Sequence, residues 1–152
     1  MADSIREQIL QALQTKLEGI TPGNGFDLDT TGRISRCVRS HDPDNLPAVV
    51  LWDGPEVPEH KAGFTKQLME FTVEVLVSVA DSDSASAPLN QWMAEIIKGI
   101  TQGDTSLTGL VEATQYTGAE TQYSTVQSDA ASVLINFQVI YNTVRGDPYT
   151  QP

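Results

Sequence analysis

The side chains that do most acid–base, nucleophilic and metal chemistry are sparse here: of 152 residues, two are histidine and one is cysteine. Ser40, His41 and Asp42 hold the three residue types of a hydrolase triad. Adjacent positions rarely converge their side chains, however, and working triads are assembled from distant segments. His60 sits in Pro58-Glu59-His60-Lys61, and neither histidine has the spacing of a helical metal pair. Asp27-Leu28-Asp29 and Asp81-Ser82-Asp83 lack the spacing and terminal Glu of a calcium loop and read as solvated turns. Pro22-Gly23-Asn24-Gly25 lacks the downstream Gly and Lys of a phosphate loop. Arg33, Arg36 and Arg39 are spaced by three, which on a strand turns the middle one to the opposite face. Cys37 stands alone between Arg36 and Val38, an ordinary packed or edge residue. No catalytic, cofactor-binding or metal residue is assigned, and the expectation is a protein that is not an enzyme and carries no cofactor.

Charge narrows the partners. The net charge is −11 with nine Lys and Arg, which opposes a sequence-independent grip on nucleic acid, because neutralising phosphates takes clustered cations. The plain reading of such a balance is solubility; a surface that lets DNA slide past is the other. With 39% apolar and 19% charged residues the chain is expected to fold, as one domain over residues 1–152. The N-terminus lacks a signal peptide's apolar core and no apolar run approaches a membrane span, so a soluble protein made inside a cell is expected.

The elements follow from periodicity. Ser4-Ile5-Arg6-Glu7 reads as a capping box, and Ile5, Ile9, Leu10, Leu13 and Leu17 recur at helical spacing until Gly19 and Pro22. Residues 21–32 have loop chemistry; Ile34 to Arg39 and Ala48 to Trp52 read as short strands. Asp53 to Lys66 carries Gly54, Pro55, Pro58, Gly63 and several charges without periodicity, and reads as a long loop of the kind that is functional or flexible. Period-two alternation then runs from Leu68 to Val79, a long amphipathic strand. Residues 81–87 read as a turn, with Pro88 opening a second helix whose Leu89, Trp92, Met93, Ile96, Ile97 and Ile100 share one face before Gly103 and Asp104 end it. Leu110 to Thr117 and Thr121 to Gln127 read as two strands around Gly118, and Ser132 to Thr143 as another long one. The predicted fold is α+β: a two-layer sandwich with a mostly antiparallel sheet and two amphipathic helices on one face. On the other face Leu68, Leu76, Leu134 and Ile140 interrupt what should be a polar surface, either as scattered apolar residues or as a patch a partner covers.

Several segments together carry a family resemblance. The N-terminal amphipathic helix, Leu46-Pro47-Ala48-Val49-Val50-Leu51-Trp52-Asp53 running into a Glu-bearing loop, the strand Glu70 to Val79, and the ending from Ser128-Asp129-Ala130 through Tyr141 to Tyr149 resemble, in order and over nearly the whole chain, the tail terminator proteins of long-tailed bacteriophages, of the minor tail protein U type. The resemblance implies a small α+β subunit that closes into a ring, a hexamer in the family. The ring would stop tail-tube polymerisation and present its other side to the neck, with DNA passing through the channel unbound. It implies a virion protein of the tail, made in the host bacterial cytoplasm, whose partners are further copies of itself, the tail tube protein and a neck or connector protein. Contacts are then expected on two segments, 53–66 with Asp53, Glu56, Glu59, Lys61 and Lys66, and 145–152 with Arg145, Asp147 and Tyr149. A tail with Gly146, Pro148 and Pro152 is expected to be ordered by docking on something, and Arg145 and Asp147 to pair between subunits. Three rivals remain: a neck or head-completion protein on the portal side, a small cytoplasmic enzyme using His41, and an accessory ligand-binding module.

Overall fold

In the computed structural model, residues 1–38, 45–78, 85–122 and 130–152 are described. Helix α1 (Ile5–Glu18) starts where expected, with the Ser4 hydroxyl accepting the Glu7 N–H, and it buries Ile5, Ile9, Leu10, Leu13 and Leu17. A 3-10 turn over Pro22–Asn24 and a short strand β1 (Ile34–Arg36) follow, then β2 (Ala48–His60), β3 (Phe64–Ser78), α2 (Ser86–Thr101), β4 (Ala113–Gln122) and β5 (Ala130–Val144). The five strands form one sheet in the order β1-β2-β3-β5-β4, antiparallel except for the parallel pair β1 and β2. Buried residues of both helices join Met69, Phe71, Val73, Val75, Val133, Ile135, Phe137 and Val139 of the sheet in one hydrophobic cluster. Both helices therefore cover the same face, as the α+β reading requires. At the middle of that layer the rings of Phe71 and Phe137 stack with centroids 5.1 Å apart.

Four expectations are corrected. Residues 53–66 are the end of β2, a tight turn and the start of β3: Glu56 to His60 pair with Met69 to Thr65, and Gly63 turns the chain at φ +82°. The hairpin lacks hydrophobic alternation because most of this arm is solvated on both faces, so ladder bonds and not burial define it. Pro55 and Pro58 are tolerated because no strand pairs with β2 beyond Leu51 on its outer side among the described residues. Second, Gly118 does not separate two strands. It sits in a bulge within the one strand β4, whose register shifts between Tyr116 and Gly118. Leu110 belongs to the preceding turn, and residues 123–127 lie outside the described residues. Third, α2 begins two residues before Pro88, which stands in the first turn, where backbone N–H groups have no helical acceptor to lose. β1 is also shorter than expected: at Cys37 the backbone turns to φ +50°, and Arg39 is outside the described residues.

The helices are tied to each other through their ends. Lys16 of α1 donates its ammonium to the carbonyls of Ile100 and Asp104 at 3.0 and 2.6 Å, satisfying acceptors at the C-terminus of α2. Burial there pulls the Lys16 pKa below its ordinary value. Among the described residues no helix is long and apolar enough to cross a membrane.

Candidate functional site

The eight residues singled out for partner contacts fall into three places. Asp53 and Glu56 flank the β2 bulge, where Gly54 lies so close to β3 that a Cβ would stand 2.3 Å from the Glu70 carbonyl oxygen. Both carboxylates are held by arginines within the chain. Arg36 makes a two-pronged contact to Glu7 at 2.7 and 3.2 Å and reaches Asp53 at 3.5 Å. Arg6 donates to Glu56 at 3.3 Å and to the Gly54 carbonyl at 2.9 Å. The Tyr141 hydroxyl donates to the same Glu56 oxygen. Burial, reinforced by that carboxylate, pushes the Tyr141 phenol well above its ordinary pKa and keeps it a donor. The Arg36 hydrogen bond holds Glu7 below the ordinary carboxylate value. The cluster fastens α1 and the end of β1 to the bulge, a structural task that sequence spacing did not reveal because its members come from four elements.

At the tip of the hairpin Glu59 pairs with Lys61, which draws the Glu59 pKa down. Lys66 pairs with Glu112 at 3.4 Å. The Asn142 amide donates to the same carboxylate at 2.8 Å, and it is the larger influence holding Glu112 low. The His60 ring nitrogen Nδ1 lies 3.2 Å from the Thr65 hydroxyl across the strand pair, with no third group among the described residues to make a relay.

Residues 145–152 dock on their own chain. The Thr150 carbonyl accepts the Val144 N–H at 2.8 Å, and the Pro148 carbonyl accepts the Ile5 N–H at 3.0 Å, closing the start of α1. The Gln151 amide donates to the Gly109 and Leu110 carbonyls, both at 3.1 Å. The tail is thus ordered without an outside partner. Asp147 accepts from the Tyr149 N–H at 3.0 Å, and its pKa is lowered by the Thr150 hydroxyl and then that N–H. The Arg145 N–H reaches the Gly63 carbonyl at 3.4 Å, so the two segments marked in the sequence, some eighty residues apart, meet at one end of the sheet.

The remaining sequence candidates divide simply. Asp29 accepts from the Thr31 N–H at 2.9 Å, a turn. Arg33 donates to the Pro47 carbonyl at 3.0 Å. Ser40, His41, Asp42, Asp81 and Asp83 lie outside the described residues. Among the described residues no group of three or more His, Cys, Asp or Glu side chains could hold a metal ion.

No protein-family model matches the chain, and no curated protein matches it. Among solved structures it is similar to a chain of the virion of a native gene transfer agent particle, at 12% identity over 91% of this chain and 92% of that one, with a TM-score of 0.48. It is also similar to a protein whose name carries no function, at 13% identity over 88% of this chain and 94% of that one, with a TM-score of 0.51. At these identities the likeness is one of fold.

Proposed function

We propose that the chain is a structural virion protein, a tail terminator that assembles as a ring on the end of a phage-type tail tube, halts its polymerisation and joins it to the neck. The observation that carries the reading is the convergence of the hairpin tip and the C-terminal tail at one end of the sheet. Segments 53–66 and 145–152, which the family resemblance marks for contacts, meet at one end of the sheet beside the start of α1, with Val57 and Tyr149 more than half exposed. A surface built on a β-ladder holds its shape before a neighbour arrives, which lowers the ordering cost of joining a ring. The acidic balance suits a channel wall that DNA passes without adhering.

The test is negative-stain microscopy of the purified protein, alone and with polymerised tail-tube protein from the same genome. Rings and capped tubes of limited length are the expected result. Rings that bind connector or portal particles while ignoring tubes would move the protein to the neck, and absence of both would remove the assembly reading.

A further inference from the structure

Among the described residues Arg6, Arg36, Lys61 and Lys66 pair with carboxylates, and Lys16, Arg33 and Lys98 donate to backbone carbonyls. Only the exposed Arg145 guanidinium has no hydrogen bond or ion pair among them. Three side-chain carboxylates, Asp27, Glu70 and Glu120, are likewise without a partner among the described residues. Of these, Glu70 lines a cavity of about 300 Å³. The cavity opens on the sheet face away from the helices, the face of Glu70, Thr72 and Asn136. Its walls come from two bulges: Gly54 and Pro55 of β2 on one side of the central strands β3 and β5, Thr117 of β4 on the other. On its floor the Thr72 hydroxyl donates to Asn136 Oδ1 at 2.8 Å. No Lys or Arg lines it. Arg6 reaches the Gly54 carbonyl at one wall, where Glu56 matches its charge. The cavity thus holds one unmatched carboxylate and has room for one long side chain, between walls that shield an ion pair from water better than an open surface does.

Within one copy the two unmatched charges cannot meet. Glu70 stands opposite Gln138, and Arg145 follows just past the end of β5. At about 3.4 Å per residue the two are about 24 Å apart along the strand, far beyond the reach of an arginine side chain. Between copies they can meet. A contact of the end of one molecule with the middle of another is head-to-tail, the type that closes rings. A ring of copies also gathers like charge, −11 from each, which opposite charges at every junction offset. A guanidinium suits the site because its planar fork can donate to a carboxylate through two parallel bonds. On the ring reading, we propose that Arg145 of one copy enters this cavity of the next and pairs with Glu70.

The experiment scores assembly by negative-stain microscopy with tail-tube protein from the same genome. It compares the wild-type chain, Glu70→Arg, Arg145→Glu, the double reversal, and an equal mixture of the two single variants. Each single reversal is expected to lower the yield of rings and capped tubes about tenfold or more. The urea midpoint of the free protein is expected to stay in place, since both side chains are exposed. The double reversal is expected to restore assembly to within a few-fold of wild type. The mixture is expected to assemble as well, because in an alternating ring every junction again joins opposite charges. A pairing inside one chain would not be rescued by mixing. Single variants that assemble like wild type would overturn the contact while leaving the ring reading in place, as would a double reversal or a mixture that stays inactive. A wild-type chain that forms neither rings nor capped tubes would remove both.

Discussion

The two faces of the central strands differ, one dry and apolar, the other mostly polar with a few apolar residues set into it. On β3, Met69, Phe71, Val73 and Val75 are fully buried under the helices, while Leu68 and Leu76, one residue out of phase, stay half-exposed on the open face. For an apolar residue on this sheet, phase against the helices decides burial. The dry face carries the packing that holds the fold together, and the open face contributes little to it.

The contrast can be broken or sharpened by substitution, and the largest effect belongs to the dry face. Phe71→Ala removes one ring of the stacked pair from a layer with no solvent access and is expected to cost about 3–5 kcal/mol in a urea unfolding curve. A loss under about 1 kcal/mol there would mean the layer repacks freely. Next comes Gly54→Ala, where the added Cβ meets the Glu70 carbonyl backbone. About 1–3 kcal/mol is expected, together with altered amide spectra at both sides of the bulge.

Acid sensitivity tests the arginine cluster between the faces. Glu7 has its folded pKa depressed below the ordinary 4.5, so its contribution is complete above that value and is lost as pH falls through the folded one. Both partners are partly solvated, so about 0.5–1 kcal/mol is expected from comparing urea midpoints at neutral pH and below pH 4. Glu7→Gln should lower neutral-pH stability by that amount and flatten this part of the acid slope. The smallest effect belongs to the open face: Val57→Thr is expected to leave the midpoint within about 0.5 kcal/mol. A larger loss would show that the open face is part of the core after all.

Legibility in the sequence tracked burial. Ile5 through Leu17 and Leu89 through Ile100 announced their helices because one face of each is dry, and residues 68–78 and 132–143 announced their strands because alternate side chains are. The hairpin arm did not, since Glu59, His60 and Lys61 are solvated and their pairing rests on backbone bonds that side-chain pattern does not record. Gly118 misled for a related reason: a bulge and a turn both call for glycine.

For the sheet and its surfaces, the sequence by itself determined the ingredients: an acidic chain, an α+β layering, and apolar residues at Leu68 and Ile140 out of phase with the core. Only the tertiary structure decided that those two stand beside each other with Val57 and Ala113, that the C-terminal tail closes α1, and that Arg6 and Arg36 clamp the β2 bulge. Local pattern reports which side of an element is wet or dry. Which residues become neighbours across strands is set by register, and register is a property of how separated segments pair.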